Sequence, residues 1–532
     1  MLKGRQGIYM STGCRSKRSN TFIPTTHQQR TIDYFVKSKY KGLLLYHKLG
    51  SGKTCTSIMI AERLLEMKSI KMVFVFIPGS LRKGWIDEYC KKCGTSSAIL
   101  KTHFVFITYN YDIGKLPNMD NSLIIIDEVH NLINAVKNES RNAVIIYNAI
   151  NNSKCKILAL SGTPLFHYIY EWSLLGNMLK PNTFKTNLGD AFMKYYFNVK
   201  PSGELVPKDP VKFKKDMQGI ISYYPGSGTE YYPDVEYMDP IEVYMPYDQE
   251  ISYWQAVELE NKLQKPDEEL KQTNPEKYNI FSRLYIVARK NILSRAAGNF
   301  YYPKDIRKVK DALVSDGGWV EKSKLEGNKL NTLYSPKFAA FFTNLTKYPN
   351  QKHVLFTFFK YKFGVNLIHS MLKMCGIKSA IFSGDVNDSR RASILDRFNH
   401  ENNTRGEKIK LLLITDAGSE GITILDARHI HILESSTRPN KIQQVIGRVV
   451  RYKSHERLPV QDRNVKVWRY WSIPSPEPIL VPLETRLPNG KIEIVQKLIT
   501  KKTSKDKRLF EEGEKTLIES RSFLSYLQKY SV

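Results

Sequence analysis

The chain has 532 residues, 42% hydrophobic and 25% charged, the balance of a globular protein with length for two to four domains. Its 81 Lys and Arg against 52 Asp and Glu leave a formal charge of +29, which favours a polyanionic partner, nucleic acid before membrane surface. No apolar run reaches the roughly 18 residues of a membrane-spanning helix, no secretory signal follows Met1, and six cysteines in so long a chain argue against a disulfide framework and for a reducing, intracellular setting.

Residues 1–20 are basic and carry no pattern, so they are expected to form a mobile arm. Short apolar runs then recur at 43–46, 72–77, 104–107, 123–126 and 157–160. A second set falls at 354–358, 380–382, 410–414, 430–433 and 465–471. Runs of this length separated by helix-length stretches read as buried strands of parallel sheets. Two sets predict an α/β protein of two lobes, 21–235 and 331–475. The turn-rich and helical stretch between them predicts a helical inter-lobe region at 236–330, with helices near 249–264 and 278–295. Residues 476–532 are read as a basic extension, helical from 498 to 528.

Polar motifs follow these strands directly, at the carboxyl ends where open α/β sheets bind ligands. Gly50-Ser51-Gly52-Lys53-Thr54 follows the first run. The glycines let backbone N–H groups approach phosphate oxygens, Lys53 reaches the β/γ-phosphates, Thr54 ligates Mg²⁺, and the following helix points its positive end at the anion. The full pattern asks for Gly at position 47, where this chain has His47. Asp127-Glu128-Val129-His130 follows the fourth run. An Asp there can hold Mg²⁺ and the adjacent Glu can activate the attacking water. Ser161-Gly162-Thr163-Pro164 ends the fifth, with hydroxyls suited to relaying nucleotide state towards His130. Cys90-Lys91-Lys92-Cys93 is an isolated C-x-x-C and a weak signal for zinc or redox chemistry.

These segments, in this order, resemble superfamily 2 helicases and translocases. Pro78 to Trp85 is similar to the Swi/Snf-type segment that packs on the nucleic-acid backbone, which implies contacts from Ser80 and Lys83. Thr25-Thr26-His27-Gln28 is similar to the family's adenine-reading motif and implies a nucleotide contact from Gln28. Thr415 to Ile422 resembles the motif that touches both nucleic acid and nucleotide, through Thr415 and Gly421. Gln444, Gly447, Arg448 and Arg451 match the last family motif. Three residues apart, the two arginines are expected on one helix face, acting as arginine fingers with Gln444 beside them. The segment 451–459 resembles helicase-like ATPases of large cytoplasmic DNA viruses, of the poxvirus nucleoside triphosphatase I and early-transcription-factor small-subunit type.

The resemblance implies two RecA-like parallel-sheet lobes with an ATP cleft between them. It implies ATP and Mg²⁺ as cofactors, DNA or RNA as partner, and motion on nucleic acid in viral transcription, beside an RNA polymerase or other transcription factors. Virion and host cytoplasm are then the expected locations, without a membrane. A nucleic-acid-binding or virion structural protein on an inactive helicase scaffold is the competing reading. Intact Lys53, Thr54, Asp127, Glu128, Arg448 and Arg451 argue against it. A single-lobe phosphate-loop kinase is the third, and the second strand set argues against that.

Overall fold

The computed structural model describes residues 8–10, 22–48, 50–109, 116–165, 168–185, 191–226, 228–263, 268–289, 291–302, 334–416, 422–437, 439–486, 491–500 and 502–532. The chain divides into two compact units: Met1–Thr229 together with Lys515–Val532, and Glu230–Glu514. Each is a RecA-like α/β layer structure around a parallel sheet.

In the first unit seven strands lie in the order Ile8–Met10, Phe104–Thr108, Met72–Ile77, Ser122–Asp127, Lys156–Ser161, Gly42–His47, Ile221–Tyr224. All neighbours are parallel except the first pair. The register places Val75 opposite Ile125 and Leu45 opposite Leu160. Successive side chains alternate faces, as strand geometry requires. Leu44, Phe74, Phe76, Ile124 and Ile126 enter one core, while Leu43, Leu45, Val73, Val75 and Ile125 enter the other. Both faces are buried, so these strands read as continuous apolar runs. The second face is covered by Ile58, Ala61 and Leu64 of the helix Lys53–Glu66. Fully burying an isoleucine or leucine such as Ile58 or Leu64 stabilises the unit by roughly 1.5–3 kcal/mol.

The second unit has an all-parallel path of Asp234–Tyr237, Asn464–Ile473, Ala427–Ile432, Lys352–Phe356, Leu411–Ile414 and Ser379–Phe382. Ile241–Tyr244 pairs with the far half of Asn464–Ile473. The helix Pro336–Lys347 opens the second strand set. Its Ser335 cap accepts from Phe338 N at 3.0 Å, and Pro336 occupies the first turn, where its missing N–H costs nothing.

Several expectations are corrected. Ile8–Met10, inside the expected mobile arm, is a strand antiparallel to Phe104–Thr108. Residues 278–295 are two helices, Pro275–Arg289 and Ile292–Asn299, the second beginning at Asn291 with φ 49°. The C-terminal region is first a hairpin, Ile479–Arg486 with Ile492–Ile499, and helical only over Lys505–Lys529. Cys55 and Cys93 form a disulfide with Cα atoms 5.5 Å apart, against the expectation of unpaired thiols. The C-x-x-C therefore does not close on itself. Thirty-eight residues separate the partners, and their approach comes from packing of the phosphate-loop helix on the turn Tyr89–Cys93.

Candidate active site

The phosphate loop is shaped by its glycines. Gly50 has φ 83° and Gly52 φ 78°, left-handed values that only glycine adopts at little cost. A Cβ on Gly52 would meet Gln28 Nε2 at 2.5 Å. Gln28 is buried, and its amide donates to Gly52 O at 3.2 Å while its carbonyl accepts from Thr25 N at 2.9 Å. This residue therefore fastens the loop to the helix Thr26–Lys37 in addition to any base contact. The ring of His47 turns into the protein, where Nε2 meets Ser222 Oγ at 2.9 Å, which is how the loop accommodates a side chain at that position. Burial, then Lys53 and His27, hold its pKa down at about 3, so it is neutral and adds no charge near the phosphates.

Lys53 Nζ donates to His47 O at 2.8 Å, so the ammonium already lies within the curve of the loop. Thr54 follows in the first turn of a 14-residue helix whose amino end faces the same loop. The Ser51 hydroxyl is buried without a hydrogen-bond partner. A bound phosphate would supply the acceptor it lacks, so the cradle fits a nucleotide.

Asp127 ends the strand Ser122–Asp127, and Glu128 caps the next helix with φ 50°, ψ 53°. A left-handed glutamate is strained backbone of the kind that gathers at functional sites. Burial, then the neighbouring Glu128, push the Asp127 carboxyl up, with Lys53 opposing. A divalent cation would supply the missing positive charge. Mg²⁺ takes one or two protein oxygens and completes its shell with water and phosphate, so Thr54 and Asp127 fit it as a donor pair. Among the described residues no larger His, Cys, Asp or Glu cluster suits a metal. From Glu128 the contacts continue: Oε2 lies 3.4 Å from His130 Nδ1, which lies 2.9 Å from Ser161 Oγ, which accepts from Thr163 N at 3.0 Å. The structure thus brings Glu128, His130, Ser161 and Thr163 into one chain of contacts.

Ser80 lies in the turn Gly79–Leu81, and Lys83 is exposed on the helix Arg82–Glu88, which is anchored by buried Trp85. Sequence reasoning missed a cavity of about 360 Å³ beside the loop, lined by Thr25, His27, Arg30, His47 and Tyr224. His27 stacks on Tyr224 at 3.6 Å with rings 5° apart, and its Nε2 reaches Ser51 O at 3.1 Å. No sequence signal marks Tyr224, because it reaches the loop through the pairing of Gly42–His47 with Ile221–Tyr224.

In the second unit Thr415 and Asp416 follow the strand Leu411–Ile414, and Gly421 lies outside the described residues. Asp416 is held by Lys441 Nζ at 2.6 Å. Gln444 and Arg448 sit on the partly exposed side of the helix Pro439–Val449, opposite Ile442, Val445 and Val449. The expectation that Arg448 and Arg451 share a helix face is corrected. The helix ends at Val449, because Ser454 Oγ donates to Val449 O at 2.7 Å and accepts from Arg451 N at 3.2 Å. Arg451, beyond the end, donates through Nη1 to Ile422 O at 3.3 Å and to the Thr423 hydroxyl.

Two family models match the chain. Residues 21–166 match the type III restriction enzyme res subunit, and residues 336–453 match the helicase conserved C-terminal domain. R563 of Acanthamoeba polyphaga mimivirus, which bears the name of an ATP-dependent RNA helicase, is 25% identical over 501 residues, covering 84% of this chain and 82% of R563. L538 of the same virus, similarly named, is 25% identical over 463 residues, covering 85% and 90%. Nucleoside triphosphatase I of Melanoplus sanguinipes entomopoxvirus is 26% identical over 500 residues, covering 81% and 70%.

Proposed function

The chain is a superfamily 2 helicase-type ATPase with viral relatives, and we propose that it couples Mg·ATP hydrolysis to movement along nucleic acid. Glu128 carries the proposal: a carboxylate on a left-handed, strained backbone beside Asp127, tied to Ser161 through His130.

Lys53 binds the β/γ-phosphates and Glu128 takes the proton of the attacking water. Thr54 and Asp127 would hold Mg²⁺, which supplies charge neutralisation on the phosphates. Gln28 with the His27–Tyr224 stack receives the base. Arg448 and Arg451 supply positive charge to the transferring phosphoryl group, Gln444 supports them, and Gly421 contributes a backbone contact. His130, Ser161 and Thr163 relay nucleotide state. Ser80, Lys83 and Thr415 contact the phosphate backbone. The inactive-scaffold reading loses ground because no catalytic side chain is missing.

The test is ATP hydrolysis measured alone and with single- and double-stranded DNA and RNA, beside Glu128→Gln. Stimulation in the parent, and its loss in the variant with ATP still bound, is expected. Substantial turnover by Glu128→Gln would sink the assignment. The finer reading, action with an RNA polymerase in viral transcription and presence in the virion, is tested by co-purification with the polymerase and by virion proteomics. Among the described residues no helix is long and apolar enough to cross a membrane.

A further inference from the structure

Thr415 lies just beyond the carboxyl end of Leu411–Ile414, in the second unit's set of parallel strands. The amino ends of the same strands carry a different chemistry. A cavity of about 550 Å³ opens where Ser379–Phe382 and Leu411–Ile414 begin. Lys373, Lys378, Arg397 and Lys408 line it, and no carboxylate does. His369 also lines it, but burial and Lys373 lower its pKa, so it adds no charge. A neighbouring cavity of about 460 Å³ lies at the starts of Lys352–Phe356 and Ala427–Ile432. Its two carboxylates are already engaged, Asp426 by Arg457 and Asp462 by Arg428 at 2.8 Å. Lys347 and Arg405 line it as well. Between the two cavities Glu407 accepts from Arg405 N at 3.1 Å, and Lys378 Nζ donates to Glu407 O at 3.0 Å.

Surface lysines elsewhere in this chain are commonly matched along a helix, as in Lys91–Asp87, Lys92–Glu88, Lys200–Glu204 and Lys212–Asp216. Among the described residues Lys347, Lys373, Arg397, Arg405 and Lys408 have no such carboxylate. Cations gathered in concave surface without counter-charge repel one another, and a polyanion relieves that repulsion. We propose that this amino-end face binds the phosphate backbone of a second segment of nucleic acid, distinct from the segment contacted at Thr415. The length of Leu411–Ile414 alone, at about 3.3 Å per residue, separates the two by roughly 13 Å. The proposal rests on the reading of the chain as a nucleic-acid motor, and it adds a holding site to the track.

The test uses the full chain with Lys373→Ala, Arg397→Ala and Lys408→Ala combined, and long and short duplex DNA as probes. With long duplex the slope of log affinity against log salt should fall by about 2.7, at ~0.9 per lost phosphate contact, and affinity at low salt by ~10-fold or more. With a duplex too short to reach both ends of the sheet, affinity and kcat at saturation should be unchanged. Lys373→Arg with Lys408→Arg should keep the parent slope, which separates charge from folding. A parent that binds nucleic acid and a triple variant with the same slope on long duplex overturns this site alone. A parent that binds no nucleic acid overturns the motor reading and this site with it. Retained DNA binding with loss of binding to polyglutamate shows an acidic-protein surface instead and overturns the proposal.

Discussion

Lys337, with no exposed surface, donates to Asp506 at 2.6 Å across 169 residues of sequence. Asp506 also accepts from Ser472 N at 3.1 Å and Ser435 N at 3.3 Å, while Lys337 reaches Asn299 Oδ1 at 3.2 Å. Asn299 donates to Glu434, whose other contacts are Thr357 Oγ1 at 2.7 Å and Phe358 N at 3.0 Å. The first turn of the C-terminal helix is thus part of the second unit's interior. Removing one member of a buried pair leaves the other charge stranded. Asp506→Ala should destabilise this unit by about 3–5 kcal/mol in denaturant unfolding. A loss within experimental error would show that Lys337 finds solvent or another partner.

The far part of the same helix belongs to the first unit. Phe523 and Leu527 are fully buried there, and Phe523 packs at 5.9 Å ring separation on Trp172 and again on Phe197. Ser522 Oγ accepts from Leu205 N at 2.9 Å. Phe523→Ala should cost about 3–5 kcal/mol, through lost transfer energy and the cavity left behind. A fragment ending near residue 235 should fold poorly for the same reason. Unchanged melting of Phe523→Ala would show that the helix is dispensable to this core.

These two contacts mark where sequence reading stops. Runs such as 123–126 were legible because both faces of a parallel sheet are buried, and because Asp127 and Glu128 stand at the strand end where chemistry is expected. Phe523 and Asp506 carry no such signal, since their partners are hundreds of residues away and nothing in a helical period names them. Tyr224 beside the phosphate loop is hidden likewise by its strand pairing. The end of the helix at Val449 was missed because Ser454, the residue that terminates it, lies outside the family motif.

The second sheet holds three stacked imidazoles with one consistent proton arrangement. His353 Nε2 faces Tyr348 O at 3.3 Å, so its Nδ1 accepts from His431 Nε2 at 3.0 Å. His431 Nδ1 then accepts from Tyr470 OH at 2.8 Å, and His429 Nδ1 accepts from Trp468 Nε1 at 3.1 Å. Burial lowers His353 to about 3, His429 to about 2 and His431 well below its usual value. A pKa depressed by folding means stability that is present above pH ~6.5 and lost as pH falls, because the unfolded chain binds the protons. Unfolding free energy should therefore drop by up to ~4 kcal/mol per pH unit once all three titrate. His431→Gln should cut that slope by roughly a third. A flat profile between pH 7 and pH 5 would contradict the neutral cluster.

Cys55 adjoins Thr54 of the phosphate loop, and its bond to Cys93 closes a loop of 38 residues. Closure of that length stabilises by up to about 4 kcal/mol. Cys93→Ser should lower the first unit's melting temperature, and reductant should do the same to the parent. Cys155 is a buried free thiol. Peptide mapping without reductant should recover the 55–93 pair, and its absence from the native protein would dismiss the bond.

Arg448 and Arg451, equivalent in the motif, are not equivalent in the structure. Arg448 lies on the helix Pro439–Val449, while Arg451 lies past its end and holds the 422–423 backbone and side chain. Arg448→Ala should therefore act on catalysis, lowering kcat about 10³-fold with ATP affinity nearly intact. Lysine should not restore it, since the planar fork is lost. Arg451→Ala should lower kcat and also loosen the segment after Thr415, so nucleic-acid affinity falls with it. Thr423→Val removes Arg451's side-chain partner without touching the arginine. It should reproduce the affinity loss of Arg451→Ala but only a small part of its kcat loss. Full hydrolysis by Arg448→Ala would falsify its role in the transition state. A Thr423→Val protein with parental nucleic-acid affinity would separate Arg451 from that segment and leave it a transition-state role alone.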